Sequence, residues 1–238
     1  MLLVGVGSVT RFLRFLTELP KSYVGEVVLG IETSTLDAAG EVTARHDMSA
    51  VTLDAARAVA AQHLVGDILQ VPPMVSALKV GGRRLHELAR EGVEVERAPR
   101  PVTVYALTLD ATDEPGVLRI AAQCSSGTYV RTLAADLGRL LGGGAHLREL
   151  RRTAIGSFGE ADAQPLTEAA LLTPAEAMRD LTRVTVDATV ADHVRHGRLL
   201  PAFEGVAPWV VLDPDGELLA VYEPHRDGAK PAVVVATD

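Results

Sequence analysis

Alternation of hydrophobic and polar positions predicts several strands in the first half of the chain. The alternation is clearest over residues 23–29, 101–109 and 117–124, and a period of two residues is typical of half-buried strands. The apolar run over residues 1–7 predicts a fully buried strand, and Ser8 is placed to cap a short helix after it. These elements indicate a sheet with helices packed against it.

Apolar residues at helical spacing predict helices over residues 53–64 and 85–90, and a longer helix that begins just before Arg131. Ser125 and Ser126 are placed to cap this last helix. An arginine in the first helical turn opposes the helix dipole, so Arg131 indicates an anionic partner, either a carboxylate or a phosphate. On exposure statistics alone, a solvated surface arginine is the commoner outcome.

A change of composition after residue 160 indicates a second domain. Residues 161–180 are rich in Ala, Glu, Pro and Thr, and we place the domain boundary at residue 180. The elements predicted beyond it are a helix and three short strands, at residues 191–196, 209–212, 218–222 and 232–236. The sequence therefore predicts domains at residues 1–180 and 181–238, the second of them small and β-rich.

The charge is unevenly distributed, and this changes what the net value of −8 implies. Residues 1–160 carry 17 Lys and Arg against 18 Asp and Glu, whereas residues 161–238 carry 6 against 13. A nucleic-acid partner needs clustered cations rather than a positive total. The candidate phosphate contacts form two clusters: Lys79, Arg83 and Arg84, and Arg148, Arg151 and Arg152. An exposed, solvated loop explains the first cluster about equally well.

The apolar runs and the cysteine count exclude some classes of protein. No run approaches the ~20 apolar residues that span a bilayer, and the N-terminal run lacks the basic region of a signal peptide. Cys124 is alone, so no internal disulfide is possible. A cytoplasmic protein that does not contact membranes is expected.

Four blocks of sequence resemble, in order, the TruB family of bacterial tRNA pseudouridine-55 synthases. The most specific is Cys-Ser-Ser-Gly-Thr-Tyr-Val-Arg-Thr at residues 124–132. The others are Lys-Ser-Tyr at 21–23 followed by the hairpin block at 30–41, Pro-Pro-Met-Val-Ser-Ala-Leu-Lys at 72–79, and Gly-Ala-His-Leu-Arg-Glu-Leu-Arg-Arg at 144–152.

The resemblance implies an α+β pseudouridine synthase fold, in which helices flank a mixed, largely antiparallel sheet, followed by a small PUA-like domain. It also implies the activity: a uridine is flipped out of the tRNA T-loop, and its N-glycosidic bond is converted to a C-glycosidic bond without a cofactor. The partner is then the T-arm of tRNA, and a monomer that holds no metal is expected.

By block matching, the resemblance assigns three site residues. Tyr23 would stack on the base, Arg131 would pair with the nucleophilic aspartate, and Leu150 would complete the pocket. Each has a plainer alternative from the sequence, since Tyr23 suits any strand and a leucine is more often a core residue.

The nucleophile itself has no counterpart in this sequence. In the family it lies in a Gly-Thr-Leu-Asp-Pro-like block before the strand that residues 2–7 resemble, so we expect an N-terminally incomplete fold. Whether these 238 residues are active without that block stays open. Asp37 matches the separate hairpin block and falls in a predicted turn, and we do not assign it as the nucleophile. Arg131 is then expected to lack a paired carboxylate, which is costly in a buried site.

Two functions from different classes remain open at this stage. The leading hypothesis is a tRNA pseudouridine synthase, and the alternative is a non-catalytic tRNA-binding or tRNA-folding protein. A metal-dependent hydrolase is disfavoured because the sequence has no His-Glu-x-x-His, and His193 and His196 fall on a helix of the acidic second domain.

Overall fold

The computed structural model describes residues 1–235, which form two compact units. Met1 and residues 20–155 make up the first unit, and residues 2–19 with the chain from residue 156 onward make up the second. These units are a different division from the predicted sequence domains 1–180 and 181–238, whose boundary stays a prediction.

The helices and strands, in chain order, are the 3-10 helix Gly7–Phe12, α1 (Leu13–Leu16), β1 (Lys21–Leu29), β2 (Ile31–Thr33), β3 (Val42–Arg45), α2 (Leu53–His63), β4 (Gly66–Gln70), β5 (Lys79–Val80), β6 (Arg83–Arg84), α3 (Leu85–Arg90), β7 (Arg100–Ala111), β8 (Val117–Cys124), α4 (Val130–Leu140), β9 (Ala145–Ile155), β10 (Phe158–Gly159), the 3-10 helix Glu160–Asp162, α5 (Pro174–Ala177), β11 (Thr182–Thr185), α6 (Ala188–Arg195), β12 (Leu200–Pro201), β13 (Trp209–Leu212), β14 (Leu218–His225) and β15 (Gly228–Val234).

An antiparallel sheet forms the centre of the first unit. Five strands lie side by side in the order β9, β1, β8, β7, β4. Helix α4 packs against β9 and β1, and α2 packs against β7. The core that these elements enclose includes Val27, Ile120, Leu133 and Leu137. It forms because the apolar face of the strands packs against the apolar face of α4. The α+β prediction with a largely antiparallel sheet is confirmed.

The start of α4 differs from the prediction that serine hydroxyls cap it. Its N-cap is Tyr129, and no side chain makes a capping hydrogen bond there. Ser125 instead continues the pairing of β8 with β7, since Ser125 Oγ accepts from the Thr103 amide at 3.0 Å and the Ser125 amide donates to the Thr103 carbonyl. The hydroxyl is therefore used by the sheet and is not available to the helix.

Strand β9 is a long element that the hydrophobic pattern did not predict. It pairs with β1 along its length, with Tyr23 opposite Arg152 and Gly25 opposite Leu150. The middle residues of β9 are charged and exposed, so the sequence shows no period of two there. Hydrogen bonds to β1, rather than burial on both faces, hold this strand in the sheet.

The predicted strand over residues 1–7 is wrong. Residues 1–6 have no regular secondary structure, and Leu2, Val4 and Val6 are exposed, at 72%, 67% and 62%. Gly7 then takes a positive φ of 70°, which starts the 3-10 helix. An apolar run becomes a buried strand only where a neighbouring strand satisfies its backbone, and no strand pairing is formed over these residues.

The second unit is built on its own sheet, in the order β11, β13, β14, β15, β12. Trp209, Val211 and Tyr222 are buried in a core with α6. The Asp213-Pro214-Asp215-Gly216 turn joins β13 to β14, as the sequence indicates. The strand predicted at 232–236 overlaps β15, and Ala236 lies outside the described residues. A β-rich C-terminal domain is confirmed.

Candidate functional site

Arg131 lies in the first turn of α4 and makes three hydrogen bonds to segments distant in sequence. Its Nη1 donates to Asp37 Oδ2 at 2.8 Å and to the Thr35 carbonyl at 3.2 Å, and its Nη2 donates to the Val75 carbonyl at 2.7 Å. The Arg131 and Asp37 side chains are 20% and 27% exposed. The expectation that Arg131 lacks a carboxylate partner is therefore wrong. The position of Arg131 in the first helical turn indicated an anionic partner, and Asp37 is that partner.

The loop between β2 and β3 fixes the Asp37 carboxylate. Thr35 Oγ1 donates to Asp37 Oδ1 at 2.5 Å, and the Ala39 amide donates to the same oxygen at 3.1 Å. Burial alone would raise the pKa of Asp37, but these two hydrogen bonds and the charge of Arg131 outweigh it and hold the pKa below its ordinary value. Asp37 is thus ionised at neutral pH, with both oxygens engaged.

The same loop is attached to the start of β9. The Ala38 amide donates to the Leu147 carbonyl at 3.0 Å, and the Leu147 amide donates to the Leu36 carbonyl at 3.0 Å. Leu36 has a φ of 62°, a left-handed conformation that is strained for leucine. The surrounding hydrogen bonds hold this conformation and so determine where the Asp37 carboxylate points.

Tyr23 and Leu150 lie on neighbouring strands, and the register puts them on one face of the sheet. Tyr23 pairs with Arg152. Gly25, two residues after Tyr23 in β1, pairs with Leu150, two residues before Arg152 in the antiparallel β9. Gly25 is required there because a Cβ would lie 2.3 Å from the Glu149 carbonyl oxygen. Leu150 is 47% exposed, so it is not a core residue.

The phenol of Tyr23 is in a partly apolar setting. Burial raises the pKa of Tyr23, and the neighbouring Arg152 guanidinium opposes that rise without cancelling it. Tyr23 is therefore a neutral phenol at physiological pH and packs against the core of the first unit. Of the three predicted site residues, Tyr23 and Leu150 lie near each other across β1 and β9. Arg131 makes its hydrogen bonds to other residues, namely Thr35, Asp37 and Val75.

The first basic cluster forms an exposed hairpin. Lys79 and Arg84 face each other on β5 and β6, and Arg83 follows the glycine turn. Arg83 also bonds Glu91, which raises the pKa of the arginine and lowers that of the glutamate. The hairpin offers cations to solvent, one of them already paired.

The second basic cluster is divided by the structure. Arg148 bridges two carboxylates, with Nη1 at 2.7 Å from Glu114 and Nη2 at 2.7 Å from Glu26, and these bonds raise its pKa. Arg151 is exposed, and Arg152 donates from Nε to the Met1 carbonyl at 3.0 Å. A phosphate would have to compete with two carboxylates for Arg148.

Sequence reasoning missed Asp37 as the partner of Arg131 and the Val75 carbonyl as a further acceptor. Thr35 two residues before an aspartate, with Gly40 after it, was an available signal of a fixed Asx turn.

In residues 1–235, no cluster of three or more His, Cys, Asp or Glu is arranged to hold a metal, and no helix is both long and apolar enough to cross a bilayer.

Known protein families match the sequence over residues 1–236. Residues 1–130 match "TruB family pseudouridylate synthase (N terminal domain)", residues 131–190 match "tRNA pseudouridylate synthase B C-terminal domain", and residues 181–236 match "tRNA Pseudouridine synthase II, C terminal". The fold also resembles the solved structure "Crystal Structure of a Cbf5-Nop10-Gar1 Complex", with a TM-score of 0.66 at 22% identity over 96% of this chain and 69% of the other. The class that the fold and site define is a pseudouridine synthase.

Two curated relatives make the assignment more specific. "tRNA pseudouridine synthase B" of Aromatoleum aromaticum is 45% identical over 98% of this chain and 78% of its own length. The protein of the same name from Symbiobacterium thermophilum is 50% identical over 82% of this chain and 67% of its own length. The chain therefore belongs to the TruB family of tRNA pseudouridine synthases, which are isomerases. The alternative of a non-catalytic tRNA-binding protein is not favoured.

Proposed function

We propose that this tRNA pseudouridine synthase acts on uridine 55 of the T-loop, and that Arg131, Tyr23 and Leu150 form its uridine pocket. The observation that carries the assignment is the ion pair of Arg131 with Asp37, a 2.8 Å contact between two largely buried groups. Such a fixed cation can orient a nucleophilic carboxylate and stabilise charge that develops on the base. The T-arm as the tRNA region bound, a monomeric state and a cytoplasmic location belong to the same proposal.

The reaction is an isomerisation, so its atoms balance within the substrate. The bond between N1 and C1′ breaks, a bond between C5 and C1′ forms, C5 loses a proton and N1 gains one. In our proposal a flipped uridine stacks on the Tyr23 ring, and Leu150 provides an apolar wall at the exposed end of the sheet face. We propose that the Tyr23 hydroxyl takes part in the transfer of the C5 proton, as the resemblance implies.

Asp37 acts in this proposal as the fixed partner of Arg131 and not as the nucleophile. Its two oxygens already accept three hydrogen bonds, from Thr35, Ala39 and Arg131, which lowers its nucleophilicity. The nucleophile that the resemblance implies belongs to a Gly-Thr-Leu-Asp-Pro-like block, which the 238 residues do not contain. We therefore propose that turnover requires that block.

A tRNA pseudouridylation assay tests the proposal. The chain alone is compared with the same chain joined at its N-terminus to a segment carrying the block, on tRNA transcripts with and without uridine 55. We expect turnover only with the block and only on the transcript with uridine 55. Turnover by the chain alone that Asp37→Asn abolishes would assign the nucleophile to Asp37, and product at other uridines only would overturn the T-loop target.

A further inference from the structure

Gln70 is a polar side chain in the core whose role the uridine pocket does not explain. It is the last residue of β4 and is 1% exposed. Its Oε1 accepts from the Tyr129 amide at 3.0 Å, and its Nε2 donates to the Tyr129 carbonyl at 3.4 Å. The carboxamide therefore pairs with one residue's backbone in the way that a strand neighbour would.

Tyr129 is the point at which α4 begins. It is the N-cap of α4, and no side chain of its own turn caps the helix. Its carbonyl also accepts from the amides of Thr132 and Leu133, at 3.0 and 3.2 Å. Because Arg131 follows two residues later on a rigid helical turn, the position of the Tyr129 backbone determines where the guanidinium lies.

The segment that follows Gln70 returns to the same arginine. Five residues along the chain, the Val75 carbonyl accepts from Arg131 Nη2 at 2.7 Å. Between these two contacts, Arg97 Nη1 donates to the Pro72 carbonyl at 3.2 Å. One segment thus holds both the backbone at the start of α4 and the side-chain end of Arg131.

The burial of Gln70 indicates that its amide group is there for its geometry. A buried amide is costly unless both of its polar ends are hydrogen-bonded, whereas a methionine of similar length would fill the same space at no such cost. A single bond would fix only a distance, but two bonds to the peptide groups on either side of the Tyr129 Cα also fix the orientation of that residue's backbone. The carboxamide therefore determines the direction in which α4 leaves the sheet.

We propose that Gln70 is a positioning residue for the synthase reaction, holding the backbone of Tyr129 so that Arg131 meets Asp37. This inference rests on the proposed role of Arg131 in the uridine pocket. Gln70 does not touch the base, and it acts only through α4. Its removal should change the environment of Asp37 without removing any group that contacts tRNA.

The test is the pKa of Asp37, followed by carboxyl carbon NMR in the full chain, with the signal assigned by Asp37→Asn. We expect Gln70→Met to raise this pKa toward the value that Arg131→Met gives, because the guanidinium loses its alignment. Gln62→Met, which changes an exposed glutamine of α2, is the matched control and should leave the pKa unchanged. An unchanged pKa in Gln70→Met beside a raised one in Arg131→Met would overturn the proposal.

A conservative variant separates positioning from packing. In the acid range where Asp37 titrates, the carboxyl introduced by Gln70→Glu is buried and protonated, so it can donate and accept as the amide does. We expect this variant to restore the Asp37 titration to that of the unaltered chain. A titration that instead matches Gln70→Met would show that the two-bond pairing is not what aligns Arg131.

Hydrogen exchange keeps the proposal testable if Gln70→Met does not fold. In the unaltered chain the Tyr129 amide should exchange as slowly as the interior amides of α4, although amides at a helix start are usually unprotected. Exchange at the rate of an unstructured peptide would overturn the proposal. Neither readout uses turnover, so the two failures can be told apart. Pseudouridylation that is unchanged in Arg131→Met would overturn the proposed function, whereas failure of either readout would overturn the alignment of Arg131 by Gln70.

Discussion

At the scale of single residues, the site depends on a charge placed against the local field of a helix. Arg131 occupies the end of α4 where a cation is unfavourable, and the Asp37 carboxylate and two carbonyl groups offset this cost. The residue type and its place in the helix predict that an anion is nearby. They do not predict which one, because Asp37 lies 94 residues earlier in the chain.

Replacing Asp37 tests this compensation. Asp37→Asn should lower the free energy of unfolding by about 1–3 kcal/mol at pH 7, since a partly buried guanidinium loses its charged partner. The lowered pKa of Asp37 makes this contribution present above the unfolded-state pKa, and it is lost as the pH falls through the folded-state pKa. Urea unfolding at pH 7 and in acid should therefore show a difference between variant and wild type that shrinks in acid. A difference that persists unchanged would mean that ionised Asp37 does not stabilise Arg131.

At the scale of elements, the close crossing of α4 over β9 brings the Arg131 helix to the Asp37 loop. A Cβ on Gly138 of α4 would lie 2.4 Å from the Ala145 amide nitrogen at the start of β9. The hydrophobic stripe predicts that α4 packs on the sheet, and that prediction is confirmed by the burial of Val130, Leu133 and Leu137. How closely the helix approaches depends on a glycine whose role the periodicity does not reveal.

Gly138→Ala should therefore destabilise the protein, in the opposite direction to the usual effect. In an exposed helix alanine is about 1 kcal/mol better than glycine, but here the methyl group would push α4 off β9 and cost about 1–3 kcal/mol. Gly159→Ala is the control, because nothing lies within 4 Å of its added Cβ and its φ of −109° suits alanine. Thermal unfolding of both variants measures the difference, and a more stable Gly138→Ala would show that the crossing can relax.

At the scale of the whole molecule, an acidic chain has to bind an acidic substrate. The net charge of −8 is concentrated beyond residue 160, while Lys79, Arg83 and Arg84 stand on an exposed hairpin. Clustered cations that release counterions from the tRNA backbone can outweigh an unfavourable total. The hairpin is therefore where we expect the salt dependence of tRNA binding to arise.

The double variant Arg83→Ala/Arg84→Ala should weaken tRNA binding and reduce the slope of log affinity against log salt by about 1 to 2. The matched control is Arg57→Ala/Arg139→Ala, which removes two arginines that pair with Asp110 and Asp136. Filter binding across a range of salt concentrations measures both slopes. Equal slopes for the two double variants would remove the hairpin from the proposed tRNA interface.

The sequence by itself determined the family, the α+β class and most strands and helices, because short blocks and hydrophobic periods report local structure. It did not reveal strand β9, whose charged face conceals its period, nor the unpaired state of residues 2–7, which depends on whether a neighbouring strand is present. Only the tertiary structure decided three features of the site. These are the pairing of Arg131 with Asp37, the two hydrogen bonds between Gln70 and the Tyr129 backbone, and the exposure of Leu150. Each depends on the register and approach of elements distant in sequence, and no local pattern of residues encodes that geometry.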